Sequence, residues 1–304
     1  MSRKRLNIAI VTDGRPANRV QAEGLAQAIS RFQAADMSVH DVQVNPFWRG
    51  MALRLTRHGY GQAPQADLVI GAGRRGNVMA AQARRRGARA VAILAPTVPL
   101  NWFDLVITPE HDGLEAPNVI TTLGSLNTMT PQRIAEAAEG LPPLPPRALV
   151  ALIGGPSKSA EFGPRETDAL IADLSRFEAA GYILYATPSR RTPQTVIDAL
   201  RARFARMTVW DGSAPNPYPG WLHMADAILV TRDSVNMISE AAATGLPLYV
   251  SGAGPLTPKF ARFQQALFAR DIIRDAADGP AHWTYTPLRE ADRIAPMVIE
   301  RIGL

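Results

Sequence analysis

The sequence predicts an α/β protein built of two doubly wound domains. Three observations carry that reading. Short apolar runs alternate with amphipathic helical stretches along most of the 304 residues, the grammar of strand–helix units on a parallel sheet. The alternation breaks at Leu141-Pro-Pro-Leu-Pro-Pro146, where prolines fix φ and remove N–H donors, so the segment reads as a stiff linker. Beyond it the same alternation restarts, and at roughly 150 residues per domain the length also fits two domains.

In the first half, Leu6–Val11 is expected as a buried strand. A polar loop, Thr12–Ala17, leads into a helix, Asn18–Phe32, with Val20, Leu25, Ala28, Ile29 and Phe32 on one side. Met37–Val44 and Asp67–Gly71 read as strands, and the glycine-rich turn Gly71–Gly76 opens a helix running to Arg86. Further strands are expected at Ala90–Leu94, Asp104–Thr108 and Asn118–Thr121, and a short helix at Pro131–Glu139. These make an N-terminal domain of residues 1–140. The second domain, 147–286, begins with a strand, Ala148–Ile153, and a helix, Arg165–Ala180. Tyr182–Ala186, Met207–Trp210, Ala227–Val230 and Pro247–Val250 read as strands; Pro193–Phe204, Val235–Thr244 and Phe260–Arg270 read as helices. Residues 287–304 form a last segment, mostly the amphipathic helix Pro287–Ile302. The halves share organisation without a detectable sequence repeat.

A hydrophobic fraction of 46% with 20% charged residues suits a packed globular chain. No apolar run approaches the roughly 18 residues of a membrane span. The first apolar stretch stops at Asp13, too soon for a signal peptide, so the cytoplasm is the expected compartment. The chain has no Cys, which excludes disulfides, thiolate metal sites and a cysteine nucleophile. His40, His58, His111, His223 and His282 show no metal-ligand spacing, and neither a metal nor a cofactor is expected. The net charge of +6 falls almost wholly before residue 147, in clusters such as Arg49, Arg54 and Arg57, or Arg84, Arg85, Arg86 and Arg89. Such a surplus suits an anionic partner, or is a solvated helix face. A membrane surface, peripherally at the inner face, is the macromolecular partner expected; nucleic acid is not.

In open parallel sheets ligands bind beyond the carboxyl ends of the strands, so the loops after each strand are the places to look. Gly154-Gly155-Pro156-Ser157-Lys158 follows a strand directly. Its glycines permit close backbone approach, and its Ser and Lys suit a phosphate, although the P-loop spacing is absent. Thr231-Arg232-Asp233-Ser234 ends another strand where a helix begins. Asp233 or Ser234 can cap that helix, and its N–H groups suit a pyrophosphate. Glu240, six residues after Ser234, is placed to accept from both hydroxyls of a ribose, or is a solvated helix residue. In the first loop Asp13 is a candidate general base or a cap, with Arg15, Asn18 and Gln21 beside it. Gly73 lies in a Gly71-Ala-Gly-Arg-Arg-Gly76 turn, but no acidic ribose reader follows at dinucleotide-site spacing. Glu110, His111 and Asp112 make a dense titratable patch suited to acid–base or phosphate-binding work, or a plain surface turn.

Two resemblances add to this. Gly154, Gly155 and Ser157, with Ser239-Glu240-Ala241, Gly245 and Pro247, resemble the donor site of GT-B transferases such as the lipid-linked N-acetylglucosaminyltransferase of peptidoglycan synthesis. That likeness implies two Rossmann-like domains facing a cleft, and a last helix crossing back to the N-terminal domain. It also implies a glycine loop at the donor diphosphate and Glu240 at the ribose. The chain departs from the pattern at Arg232-Asp233-Ser234, where small residues are usual, and at Gly14-Arg-Pro-Ala-Asn18, where a Gly-Gly-His loop is usual. A second likeness covers nearly the whole chain. Asp13–Leu25, Pro96–Leu114, Asn118–Asn127, Ile153–Lys158, Thr231–Pro247 and Lys259-Phe-Ala-Arg-Phe263 resemble the "elongated mitochondria" fission family, which is regarded as GT-B-like.

Together these readings predict transfer of a sugar from a nucleoside diphosphate sugar to an acceptor that is either membrane-associated or soluble, with no metal. Asp13, Glu110 and His111 are the catalytic candidates. Gly154, Gly155, Ser157, Lys158, Thr231, Arg232, Asp233, Ser234, Glu240 and Lys259 are the donor-site candidates, and Arg15, Asn18, Gln21 and Gly73 lie on the acceptor side. The alternative is a non-catalytic adaptor at a membrane surface that retains the fold, since a fold does not fix a function.

Overall fold

The computed structural model describes residues 5–42, 62–157 and 160–304. The clusters at Arg49, Arg54 and Arg57, the end of the Met37–Val44 strand, and Lys158 lie outside them. Two compact units are present. One holds the described residues up to Thr128 together with Glu290–Leu304; the other holds Met129–Arg289.

The first unit is a six-stranded, all-parallel sheet with helices on both faces. Its strands are β1 Leu6–Thr12, β2 Ala35–Asp41, β3 Leu68–Ala72, β4 Arg89–Ile93, β5 Leu105–Pro109 and β6 Val119–Thr122, in the spatial order β2-β1-β3-β4-β5-β6. The period of two along β1, with a core on each face, explains why Ile8–Val11 is apolar at successive positions. Leu6, Ile8 and Ile10 face one core with helix α1 (Pro16–Phe32), while Ala9 and Val11 face the other with α2 (Gly73–Arg84). The second core is rich in Ala because α2 lies close on the sheet. A Cβ at Gly76 would run into the Val11 carbonyl, and one at Gly71 into the Gly76 carbonyl. The last helix, Glu290–Ile302, packs on α1 with Ile294, Ala295, Val298 and Ile302 buried beside Leu25, Ala28 and Ile29. Each such Ile or Val stabilises by roughly 1.5–3 kcal/mol when fully buried.

The second unit repeats the architecture. Its strands are β7 Ala148–Ile153, β8 Ile183–Pro188, β9 Thr208–Val209, β10 Ala227–Thr231, β11 Leu248–Ser251 and β12 Arg274–Asp275, in the order β12-β11-β10-β7-β8-β9 and again all parallel. The helices, in chain order, are α3 Pro131–Ala138, α4 Pro164–Ala179, α5 Gln194–Arg203, α6 Tyr218–Met224, α7 Val235–Ala242 and α8 Pro258–Phe268; Glu290–Ile302 of the first unit is α9. The sheet's core is Leu149, Ala151 and Ile153 with Leu170, Leu174 and Phe177, closed by edge-to-face contacts of Tyr249 with Phe177 and Trp283. Each unit is thus a doubly wound, six-stranded parallel α/β sheet of the kind found in GT-B proteins.

Three boundaries differ from the sequence expectation in ways the packing explains. Helix α3 belongs with the second unit rather than with residues 1–140. Gly220 lets α6 approach so closely that a Cβ there would strike the Ala137 carbonyl and the Leu141 side chain, and Met129, Ile134, Tyr218 and Ala243 pack together. The proline run 142–146 is therefore internal to that unit. The last helix starts at Glu290 rather than at Pro287, and just before it the Leu288 N–H donates to the Ala242 carbonyl at 2.9 Å, holding this stretch against the end of α7. Strand β2 likewise begins two residues earlier than the apolar run from Met37 suggests, paired with β1 from Ala35.

Candidate functional site

In each sheet the chain builds outward on one side of its first strand and then crosses to the other side. The strand order so reverses between β1 and β3 in the first unit, and between β7 and β10 in the second. Loops leaving adjacent strands diverge at such a point, and the crevice between them is where open α/β sheets bind ligands. In the second unit those loops are Gly154–Ser157 and Arg232–Ser234.

The two loops are joined by a buried polar network. The Gly154 N–H donates to Thr231 Oγ1 at 2.7 Å, and that hydroxyl donates to Asp233 Oδ1 at 2.6 Å. The Gly155 N–H donates to Asp233 Oδ2 at 3.0 Å, and Arg191 Nη2 donates to the same oxygen at 3.0 Å. Arg191 Nη1 also donates to the Gly155 and Pro156 carbonyls, and the Thr192 hydroxyl donates toward the Ile153 and Gly154 carbonyls. Both glycines are required by contact rather than by φ. A Cβ on Gly154 would overlap the Asp233 carboxylate, and one on Gly155 would overlap the Arg191 carbonyl. The result is a nest of N–H and guanidinium donors suited to an anion, filled by the side chain of Asp233, which is 3% exposed.

Around this nest the other donor-site candidates take distinct places. Ser234 is the N-cap of α7, its hydroxyl accepting from the Met237 N–H at 3.3 Å; Asp233 is thus the clasp and not the cap. Arg232 donates to the Gly252 carbonyl at 2.9 Å, and Gln264 donates to the Arg232 carbonyl, fixing the loop backbone. Ser157 is exposed and closes a turn with Ala160. Lys259 lies in the first turn of α8, exposed, after β11 at the same end of the sheet. Glu240 stands more than a turn along α7, where the Tyr218 hydroxyl donates to its Oε2. Burial raises the Glu240 pKa above the ordinary carboxylate value, opposed by the Tyr218 hydrogen bond and by Arg133. Burial, then the Glu240 charge, also pushes the Tyr218 hydroxyl well up, so the tyrosine keeps its proton and remains the donor.

In the first unit the β1/β3 reversal brings Asp13, Asn18 and Gly73 together. Asn18 Nδ2 donates to Asp13 Oδ1 at 2.9 Å, and Arg15 pairs with Asp13 Oδ2 at 3.8 Å. Gly73 has φ +77°, a conformation glycine adopts without strain, and a Cβ there would meet Asn18 and the Asp13 carboxylate. Gln21 is buried on α1, donating weakly to the Ala17 carbonyl, and does not reach this group. Glu110 and His111 form a 3-10 turn after β5. β5 lies three strands from β1, about 14 Å at the spacing of hydrogen-bonded strands, so they make a separate site. His111 is buried, 3.7 Å from Asp112, which accepts from Thr108. Glu110 is exposed and adds to the field on Arg293, whose pKa is raised chiefly by its hydrogen bond to Glu290.

Arg191, and the pairing of Tyr218 with Glu240, escaped sequence reasoning. Arg191 sits in a polar Ser-Arg-Arg-Thr turn with no motif spacing, and only the pairing of β8 beside β7 brings it to the glycine loop. Pro217-Tyr218 precedes α7 by one strand, and nothing local ties it to Glu240. The basic cluster is partly neutralised within the fold. Arg84 and Arg89 share Asp104, and the Arg85 guanidinium stacks on Trp102 at 4.6 Å. A cavity of about 610 Å³ beside them is mostly apolar, lined by Val78, Ala81, Val98, Leu100 and Trp102 with Gln82 and Arg85 among its polar groups. Among the described residues no group of three or more His, Cys, Asp or Glu could hold a metal, and no helix is long and apolar enough to cross a membrane.

Known proteins match this chain at two levels. The UDP-GlcNAc 2-epimerase of Methanocaldococcus jannaschii, solved in complex with UDP-GlcNAc and UDP, superposes with a TM-score of 0.56 over 97% of this chain and 100% of that one, at 12% identity. At that identity the likeness is one of fold. By sequence, the mitochondrial fission protein ELM1 of Arabidopsis thaliana is 31% identical over 76% of this chain. The chain spans 62% of that relative's length. A protein of Rickettsia prowazekii (strain Madrid E) is 25% identical, over 76% of this chain and 78% of its own. The profile of the family described as mitochondrial fission ELM1 matches residues 16–302, and the chain belongs to that family.

Proposed function

We propose that the second unit binds a nucleoside diphosphate sugar at the β7/β10 reversal and that the chain transfers the sugar to an acceptor hydroxyl. The observation that supports this reading is the anion nest of Gly155, Arg191 and the neighbouring Thr231 at the one place in the sheet where loops diverge. In this reading Gly154, Gly155, Ser157, Thr231 and the start of α7 at Ser234 surround the diphosphate. Lys158, Arg232 and Lys259 add positive charge, and Glu240 accepts from the ribose. As the bond between the anomeric carbon and the phosphate oxygen breaks, the N–H groups and guanidinium stabilise the leaving diphosphate. The acceptor hydroxyl loses its proton to a carboxylate, for which Asp13 is the first choice and Glu110 with His111 the second. The structural neighbour solved with UDP-GlcNAc makes UDP sugars the first donors to try.

A second reading is a membrane-surface adaptor that keeps the fold without turnover. It is favoured by the occupancy of the nest by Asp233. Thermal unfolding with UDP, GDP, ADP and CMP sugars separates the two. A bound donor at a hundredfold its Kd stabilises by about 2.7 kcal/mol, several degrees for a unit of this size, and released nucleoside diphosphate then reports turnover. No shift with any nucleotide at millimolar concentration excludes the donor site; a shift without release points to the adaptor.

A further inference from the structure

We infer that Arg191 and the Gly155 N–H are the phosphate-binding groups of the second unit, and that the Asp233 carboxylate holds their place until a donor displaces it. This rests on the donor-site reading above and adds both a residue and a competition to it.

The argument starts from what Asp233 touches. One of its oxygens accepts from the Gly155 N–H and from Arg191 Nη2, each at 3.0 Å; the other accepts from Thr231 at 2.6 Å. A backbone N–H and a guanidinium converging on one anionic oxygen is the way a phosphate is gripped. A buried carboxylate is costly unless fully paired, and here the pairing uses donors at the mouth of a strand reversal.

The nest does not depend on Asp233 for its shape. Arg191 Nη1 is anchored separately by the Gly155 and Pro156 carbonyls. Thr231 can still accept from the Gly154 N–H when its own proton is freed. The backbone around Asp233 is held by the Arg232 N–H on the Ser251 carbonyl at 3.0 Å, by Gln264 on the Arg232 carbonyl at 2.8 Å, and by the Ser234 cap. Rotation of one side chain therefore uncovers a preformed site, with Arg191 Nη2 and the Gly155 N–H already aimed at it. The ligand class is a diphosphate, which can satisfy both donors and bring more negative charge than the carboxylate it replaces.

Calorimetric titration of the full chain with inorganic pyrophosphate, UDP, GDP and ADP tests this. Asp233→Ala is expected to bind the preferred diphosphate about tenfold tighter than wild type, because a buried like charge no longer competes for the same donors. Asp233→Asn, which keeps the side-chain shape, serves if the Ala variant does not fold, and is expected to shift the same way. Arg191→Ala is expected to weaken binding about tenfold and to abolish the gain when combined with Asp233→Ala, since charge-assisted hydrogen bonds are the strong ones. If wild type binds a diphosphate and the folded Asp233 variants bind it no tighter, the competition is refuted and the donor site stands. If no protein binds any of the four ligands, the donor site falls and this inference with it.

Discussion

Replacing Glu240 by Gln is expected to raise stability at neutral pH and to weaken nucleotide binding, two effects of opposite sign from one atom. The stability effect follows from burial. The Glu240 pKa is raised in the folded chain, chiefly by desolvation, so the folded state binds its proton more tightly than the unfolded state does. The stability this contributes is present below the unfolded pKa and is lost as pH rises through the folded one. At pH 7 the wild type bears the cost of the buried charge; Gln removes it and can still accept from Tyr218. The binding effect follows from valence. Tyr218 already occupies Oε2, so a ribose diol must lean mainly on Oε1. Hydrogen bonds to a charged group contribute roughly 1.5–3 kcal/mol, and with one oxygen engaged the lower figure applies, about tenfold in Kd. Calorimetry with the diphosphate that stabilises the protein, repeated with its 2′-deoxy analogue, measures this. The variant should lose much less affinity for the deoxy ligand. Equal affinities of wild type and Glu240→Gln for the ribose form would refute the ribose role. A melting temperature that falls at pH 7 and recovers at pH 4 would refute the burial argument.

Gly155→Ala forces a Cβ into the Arg191 carbonyl and is expected to cost about 1–3 kcal/mol, as overpacking does; thermal unfolding should show a drop of several degrees, and an unchanged midpoint would mean the loop gives way freely. Ile294→Ala removes a side chain that is 0% exposed in the core that α9 shares with α1 and should destabilise the first unit by about 2–5 kcal/mol, read by urea unfolding. We propose weak association with anionic vesicles through Arg84, Arg85, Arg86 and Arg89, each contributing at most about 1 kcal/mol. Because Asp104 neutralises part of that charge, binding should vanish well below physiological salt, and co-sedimentation at low salt that shows no bound protein would exclude a membrane role for this cluster.

What could be read from the sequence was local. Leu6–Val11 and Ala148–Ile153 announce themselves because a strand covered by helices on both faces is nearly continuously apolar, Asn7 being the one polar interruption. A cap at Asp233 or Ser234 was legible because a cap's partner lies two or three residues away, but which of the two it is follows only from the structure, where Asp233 is drawn off to Gly155 and Arg191. Asp13, Asn18 and Gly73 were each singled out, and their meeting follows from the sheet order, which places β3 beside β1. Arg191 was not legible, for the same reason in reverse. Its partners Gly155 and Asp233 are 36 and 42 residues away, and an arginine in a polar turn carries no signal of its own in an arginine-rich chain. The α3 boundary failed because a proline run is a strong local signal, whereas the contact that overrides it depends on the absence of a side chain at Gly220.

The two units solve one geometric problem in the same way, with the parts exchanged. At each strand reversal a glycine on one loop faces an aspartate on the other, and a Cβ on that glycine would strike the carboxylate: Gly73 with Asp13, and Gly154 with Asp233. In the first unit the aspartate follows the first strand and the glycine follows the crossover; in the second unit the order is reversed. A short carboxylate fills the gap between diverging loops at little loss of side-chain freedom; Asp233 there takes the Gly155 N–H of the opposite loop, whereas Asp13 takes the Arg15 N–H and the Asn18 amide of its own stretch. The environments then differ in what they permit. Asp233, with 2% of its side chain exposed and an arginine and a backbone N–H on one oxygen, is held by donors that a phosphate can share, so its natural competitor is an anion. Asp13, with 12% of its side chain exposed, has an amide side chain as its nearest partner and the Arg15 guanidinium at 3.8 Å, farther than the 3.0 Å of Arg191 from Asp233, so it has more water access and a looser grip. A group that accepts a proton and passes it on needs that access, which is why the base is proposed at Asp13 and the clasp at Asp233 rather than the other way round.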